Sequence, residues 1–317
     1  METTPLHSLS ITGVLSESNR IIKANYIHFI TLSLFFLPLT FSLITTPTFR
    51  LAGQLFTADH LHNFPPNFLH KPPISHLLYI LTLYIFTLCA IATITYTTYH
   101  GFSGKPIKFS TAIKSLAFSF LPLVSTTILL HLLLFCISLT FLLFVGSIVT
   151  LLQNIGFVID YNLIHFIWFS DFVVAVLIVI IIYFHVNWCL ACVIAVTESN
   201  WGLEPLMRSS YLVKGLRSVS LSLLLYFVFY GGILVFVCTD VALATGLRRS
   251  LLVFPVMFGS VFLMVVLLVS IVGNIVLYMY CKGLHGELGI EIAEKLVYFN
   301  LHSDDEKVSH VVTVAAD

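Results

Sequence analysis

Two cysteines with two residues between them, Cys189 and Cys192, form the first pattern in the sequence that could do chemistry. Cys-x-x-Cys is a redox spacing when an exposed helix N-terminus lowers the thiol pKa. These cysteines stand instead near the C-terminal end of a long apolar run, where the helix dipole has the opposite sign. The pattern therefore favours small packing residues in a membrane helix. Cys281, beside Lys282, is the one candidate for palmitoylation.

Histidines and glycines supply two further patterns. His60-x-His62 could hold one edge of a metal ion, but such sites usually need a third and fourth ligand at defined spacing. We therefore favour a histidine-rich polar loop and predict no metal. His-Gly-x-x-Gly occurs at 100–104 and again at 285–289. The strand and helix that flank a phosphate-binding loop are missing, and turns at helix exits account for the glycines better.

The sequence contains few residues that could carry out catalysis or transport. The sequence offers no nucleophile–base pair, no paired carboxylates and no Walker or dinucleotide motif, so we predict a protein that is not an enzyme and uses no cofactor. Polar groups deep in apolar runs commonly mark a transport pathway, or else hydrogen bonds between spans. None of those groups here is a carboxylate, and the candidates are His28, His131, His185, Asn187 and Asn274; hydrogen bonds between spans suit the last four.

The composition explains why polar chemistry is so sparse. Of 317 residues, 58% are hydrophobic and 9% are charged, against about 25% charged in an ordinary soluble domain. Fifteen basic and fifteen acidic residues cancel, so no overall field points to nucleic acid. These values exclude a soluble domain, a disordered chain and a disulfide-rich scaffold. What remains is a polytopic membrane protein.

Six stretches without Asp, Glu, Lys or Arg, each of at least 22 residues, identify the spans. A span needs ~20 apolar residues, and a lipid-exposed backbone must satisfy its own hydrogen bonds, so these stretches are helices. We predict an all-α membrane bundle with spans at about 24–45, 74–98, 116–148, 168–196, 218–239 and 251–280. The third helix is overlong, and we expect it to tilt or to bend near Pro122 or Gly146.

Charge asymmetry chooses six spans over seven. With six spans and a cytosolic N-terminus, one side receives eleven Lys and Arg and the other four; splitting the gap at 115–159 makes the tally seven against eight. The first count fits the positive-inside tendency. We therefore predict an integral membrane protein with both termini in the cytosol. The choice between endoplasmic reticulum, secretory pathway and plasma membrane stays open.

Three cytosolic segments have the pattern of amphipathic helices at the membrane surface. Residues 1–23 contain the first, with Ile11, Leu15 and Ile22 on one face, and 282–317 contain another at 286–300, followed by a disordered tail. The second, at 198–217, joins spans four and five and is longer than most bundle connections. Glu204 and Arg208 are predicted to pair on its polar side. We expect this segment to contact the bilayer surface or a partner protein through Trp201, Leu203, Met207, Arg208, Tyr211, Lys214 and Arg217.

Three stretches together carry a family resemblance: Glu198-Ser-Asn-Trp-Gly-Leu-Glu-Pro-Leu-Met-Arg-Ser-Ser-Tyr-Leu-Val-Lys-Gly-Leu-Arg217, Gly104-Lys-Pro-Ile107 and Cys281-Lys-Gly-Leu-His285. The chain resembles a plant family of six-span transmembrane proteins of unknown function. That family is distantly similar to the membrane domain of some glycerophosphodiester phosphodiesterases. The resemblance implies the six-span fold and supplies no catalytic residues.

Three functions remain in view. The leading hypothesis is a non-catalytic membrane component that acts through its cytosolic interfacial helices, with the bilayer and a membrane or cytosolic protein as partners and no nucleic acid. The second is a transporter or channel for a small or lipidic solute, based on the span count and the polar groups at depth. The third is a lipid-metabolising enzyme, based on the distant resemblance alone.

Overall fold

A computed structural model describes residues 10–56, 73–102, 109–156, 164–244 and 249–287. Within these ranges the chain is helical and has no strand. Ten α-helices are described there: α1 Ile11–Ala24, α2 Tyr26–Ser33, α3 Leu37–Phe56, α4 Pro73–Phe102, α5 Phe109–Asn154, α6 Ile164–Trp188, α7 Ala191–Thr197, α8 Glu204–Leu212, α9 Arg217–Ala244 and α10 Arg249–Leu284.

Six helical stretches of the described chain are long and apolar enough to cross a membrane. The first combines α2 with α3, the fourth combines α6 with α7, and the others are α4, α5, α9 and α10. This confirms the all-α fold with six candidate spans. By the length and composition of its helices, the chain is an integral membrane protein.

The first span changes helix type in its middle. A 3-10 turn at Leu34–Phe36 separates α2 from α3. Pro38 is the second residue of α3, and because it has no N–H it cannot complete an α-helical bond to the carbonyl of Leu34 in that turn. The tighter turn is a common way to carry a chain past such a gap.

The long apolar gap at 115–159 is occupied by one continuous helix as far as Asn154, and no break divides that part into two spans. α5 runs for 46 residues and stays helical through Pro122 and Gly146. At 1.5 Å per residue it is about 70 Å long, more than twice the ~30 Å of the hydrocarbon core. Its first third packs on α4 and α7, whereas large apolar side chains on its second half, such as Phe135 and Phe144, are exposed.

The centre of the bundle is α10, which packs on α9, α3, α1 and α4. Gly259 makes the closest of these contacts possible. A Cβ at that position would lie 2.5 Å from Cys238 Sγ on α9 and 2.8 Å from Ile44 Cδ1 on α3. Small residues let membrane helices approach in this way, and dispersion between close-packed side chains then holds them.

The N-terminal helix packs on the bundle. α1 buries Val14, Ser18, Ile21 and Ile22, and the three apolar residues of this set join a core cluster with residues of α9 and α10. The Ser18 hydroxyl donates to the Val14 carbonyl at 2.7 Å, which removes a bare polar group from that contact. Ile11 and Leu15, the predicted membrane-facing residues, are partly buried against the same cluster. The apolar face of α1 is therefore used at least in part by the protein itself.

Several predicted features lie outside the described residues. They are the pair His60 and His62, the stretch 288–300 of the predicted third amphipathic helix, and the tail at 303–317. The interfacial position of any helix stays a prediction.

Candidate functional site

The fourth span is interrupted at the point where α8 packs against it. α6 ends at Trp188 and α7 begins at Ala191. The Ser209 hydroxyl, fully buried on α8, fills the junction: it donates to the Asn187 carbonyl at 2.8 Å and accepts the Leu190 N–H at 3.2 Å. Because both groups lie in an apolar surrounding, this side chain supplies partners that the broken helix needs.

A second polar contact links α8 to the chain just beyond α10. Arg208 pairs with the Glu287 carboxylate and lies 3.5 Å from a Glu198 oxygen. Burial disfavours the charged guanidinium, but the hydrogen bond to Glu287 and the charges of both glutamates outweigh it and raise the pKa of Arg208. Arg208 is therefore committed to two carboxylates within the protein. The predicted pairing of Arg208 with Glu204 is therefore wrong, and contact of Arg208 with the bilayer surface or a partner stays a prediction.

Glu198 also anchors a buried tyrosine. The Tyr278 hydroxyl, on α10, donates to a Glu198 oxygen at 2.8 Å, and the Lys282 ammonium lies 5.5 Å from the centre of the Tyr278 ring. The backbone turns sharply after Glu198, because Ser199 has φ of 55°, a left-handed conformation that is uncommon for any residue but glycine. α7, α8 and α10 are thus joined through one carboxylate. We call Glu198, Arg208, Ser209, Tyr278 and Glu287 the clamp.

α8 has two faces with different surroundings. Leu206, Ser209 and Leu212 are buried against the spans. On the other side Met207 is 65% exposed and Trp201, just before the helix, is 58% exposed. Other exposed residues in this segment are Leu203, Tyr211 and Lys214. Arg217, at the start of α9, is exposed.

This arrangement corrects one sequence-based expectation and leaves another standing. The face that packs against the spans carries Leu206, Ser209 and Leu212, whereas Leu203, Met207 and Tyr211 are exposed. The helix begins at Glu204, later than the start of the predicted segment at 198–217. Contact of the exposed face with a bilayer or a partner stays a prediction. We call Trp201, Leu203, Met207 and Tyr211 the platform.

The clamp and the platform fall in a stretch that matches a protein family model. Residues 69–297, more than half of the chain, match the Domain of unknown function DUF8558. The chain belongs to this family. No curated protein and no solved structure matches the chain. The DUF8558 region begins just before α4, so it contains α4 to α10 and excludes α1 to α3.

Within the DUF8558 region, two predicted polar residues serve their own helices. His131 Nδ1 lies 2.6 Å from the Thr127 carbonyl, and Asn187 Nδ2 donates to the Tyr183 carbonyl at 2.7 Å, each one turn away. The predicted side-chain bonds between spans are therefore wrong for these two. A bond between spans is made nearby by Tyr84, whose hydroxyl lies 3.0 Å from Thr127 Oγ1.

The side chains of the other two residues predicted at depth in the DUF8558 region make no hydrogen bond within the described ranges. His185, on α6, lies within electrostatic reach of His131 on α5. Asn274, on α10, is half-buried. Two cavities open near the α8 end of the bundle, one of about 70 Å³ beside His28 and one of about 350 Å³ beside Lys114. Neither is lined by His131 or His185, so these cavities do not support the transport hypothesis.

The cysteines of the DUF8558 region are free thiols. Cys189 Sγ lies 3.1 Å from the Ser220 hydroxyl of α9, a packing contact between two helices. Cys281 is fully buried in the cluster formed by α7, α8 and α10. Palmitoylation at Cys281 is therefore wrong as a prediction, because an acyl chain cannot reach a thiol without access to it.

The repeated histidines serve helix ends. His100 Nδ1 lies 3.1 Å from the Tyr96 carbonyl in α4, and His285 Nδ1 lies 2.9 Å from the Cys281 carbonyl at the end of α10. Gly286 follows with φ of 75°, the left-handed turn that commonly ends a helix. The turn interpretation is confirmed for the second copy, up to the last described residue. Residues 103–104 and 288–289 lie outside the described ranges.

Proposed function

We propose that this chain is a non-catalytic, multi-pass membrane component that works through α8, with the platform seated on the bilayer surface. The observation that carries the proposal is the division of α8 into a buried face and an exposed apolar face. An exposed apolar group of this size on a short helix costs free energy in water, so it favours an apolar or interfacial partner.

The contacts of the clamp hold α8, and with it the platform, in one orientation. Ser209 ties α8 to the α6–α7 junction, and Arg208 ties it to Glu198 and Glu287. Contacts on two sides restrict rotation of the helix about its axis, so the platform keeps one direction. A preordered surface loses less conformational entropy when it binds.

The residues of the platform suit the headgroup region better than bulk water. Trp and Tyr have an apolar ring and a polar edge and are enriched at membrane–water interfaces. Lys214 and Arg217 follow directly, and basic side chains near an anionic leaflet contribute about 1 kcal/mol each. Both have side-chain surface open to the outside of the bundle. We therefore assign the rings to the interface and these two cations to anionic headgroups.

Depth-dependent fluorescence quenching tests this position. The chain has three tryptophans, so W168F combined with W188F leaves Trp201 as the only one. In nanodiscs we expect bromine atoms near the top of the acyl chains to quench Trp201 more strongly than bromines near the bilayer centre. Free access of aqueous iodide, with no quenching by any brominated lipid, contradicts the proposal and indicates a solvated linker.

A matched pair of variants separates the apolar face from the charges. L203S/M207S/Y211S removes the apolar surface and keeps every charge, and we expect it to lower cellular abundance and the lipid quenching of Trp201. The control L203M/M207L/Y211F keeps the face apolar and should behave as wild type. If Trp201 is open to iodide in nanodiscs but shielded in native membranes, a partner protein covers the platform and the bilayer assignment is wrong.

A further inference from the structure

The larger cavity is a groove with polar donors on one side and the lipid-facing surface of the bundle on the other. It has a volume of about 350 Å³ and lies between the end of α4, the start of α5 and the end of α7. Lys114, Ser119 and Ser199 are among the residues that line it. None of its lining residues belongs to the platform, so ligand binding in the groove is independent of the function proposed for α8.

Two hydrogen-bond donors that line the groove, the Ser119 hydroxyl and the Lys114 ammonium, are available to a ligand. Ser119 is only 6% exposed, yet its hydroxyl makes no hydrogen bond with any residue that the structure describes. Lys114 forms no ion pair within the described ranges. Ser119 lines the groove, so its hydroxyl can donate to a ligand group placed there. The groove therefore offers an ammonium and at least one free donor to an acceptor from outside.

Lys114 is the one charged residue among the described residues that line the groove. Glu198 sits between two lining residues, Thr197 and Ser199, but its carboxylate is taken up by Tyr278 and Arg208. The start of α5 and the ends of α4 and α7 meet at the groove, so their dipole ends have opposite signs and the ammonium of Lys114 supplies the charge. An oxyanion is thus favoured over a cation or a neutral group.

The side of the groove toward the lipid is apolar. Phe118 lines the groove and is 83% exposed, and Leu121, less than one turn further along α5, is 60% exposed. A ligand that fills both parts must have an anionic head and a hydrocarbon body. Basic pockets between membrane helices at headgroup depth commonly take anionic lipids.

We propose that this groove binds the phosphate group of an anionic phospholipid. Lys114 pairs with the phosphate, Ser119 donates a hydrogen bond to one of its oxygens, and an acyl chain lies along Phe118 and Leu121. The bound lipid then bridges α4, α5 and α7.

Lipid retention, measured by native mass spectrometry of the full chain purified in detergent, tests the proposal. The probes are phosphatidylglycerol, with a net negative charge, and phosphatidylcholine, which has the same phosphodiester but no net charge. We expect wild type to retain more phosphatidylglycerol. K114Q should reduce that preference about fivefold, the effect of one cation near a membrane surface. S119A should weaken retention of both lipids, because the Ser119 hydroxyl is proposed to bond to the phosphate group that both lipids share.

Two controls keep the result specific. K114R preserves the charge and should preserve the preference, while K23Q removes an exposed lysine away from the groove and should leave it unchanged. Equal retention of the two lipids by wild type, or unchanged retention in K114Q and S119A, overturns the proposal. Displacement of phosphatidylglycerol by millimolar inorganic phosphate also overturns it, because the groove then takes free phosphate rather than lipid.

Discussion

Ser209 and Asn187, 22 residues apart in the chain, are joined by a hydrogen bond that closes a break in a membrane span. The Ser209 hydroxyl donates to the Asn187 carbonyl at 2.8 Å and accepts from the Leu190 N–H at 3.2 Å. One side chain therefore satisfies two backbone groups that the α6–α7 junction leaves without helical partners. This makes α8 part of the fourth span's structure and not a separate linker.

S209A should destabilise the protein because it leaves a buried carbonyl and a buried N–H without partners. The expected loss is about 2 kcal/mol, or a fall in Tm of about 5 °C, measured by intrinsic fluorescence in detergent. The control is S210A, since the Ser210 hydroxyl bonds only to the Met207 carbonyl of its own helix. Equal melting of S209A and wild type would show that water replaces the hydroxyl.

Arg208 and Glu287 should be energetically coupled. In a double-mutant cycle of R208Q, E287Q and the double variant, we expect a coupling free energy of about 1 kcal/mol, because the pair is partly exposed. The coupling should weaken at high salt. R217Q combined with E287Q is the control, since Arg217 forms no ion pair among the described residues. Additive effects in the first cycle would mean that the contact does not hold α8.

The spans could be predicted from the sequence because charge exclusion is a property of each segment alone. Six helices and a single overlong third helix were predicted in this way. The turn at Gly286, where a left-handed conformation follows a helix end, was predicted from the glycine itself. These features depend on neighbours along the chain, and local patterns report them well.

The clamp could not be predicted in the same way, because its partners are far apart in sequence. Glu198 and Tyr278 are separated by 80 positions, and Arg208 and Glu287 by 79. Helical spacing identified the larger apolar residues of α8, which are exposed, but not the smaller face that packs against the spans. The signal that was missed is Ser209, a small polar residue three positions after one buried leucine and three before another, in the middle of an apolar stripe.

Gly259 should tolerate no side chain. G259A places a Cβ 2.5 Å from Cys238 Sγ and 2.8 Å from Ile44 Cδ1, so these side chains or α10 itself must shift. We expect a loss of about 2 kcal/mol and a lower Tm, measured by intrinsic fluorescence in detergent. G146A is the control, because nothing lies within 4 Å of a Cβ there. C238A should restore part of the stability of G259A by removing the nearest atom; if it restores none, the packing at this point has another cause.

Both termini and the 199–210 segment should lie in one compartment. α1 packs beside α10, and Arg208 of α8 bonds to Glu287 just after α10 ends, so α1, α8 and the end of α10 lie at one end of the bundle. The excess of basic residues on that side predicts the cytosol. The measurement is protease protection of tagged full-length protein in sealed microsomes, with a tag in 57–72 as the lumenal control. A tag in 103–114 should be digested with the termini. Protection of that tag while 199–210 is digested would mean that the chain crosses the membrane once more than predicted, and the seven-span arrangement would replace this one.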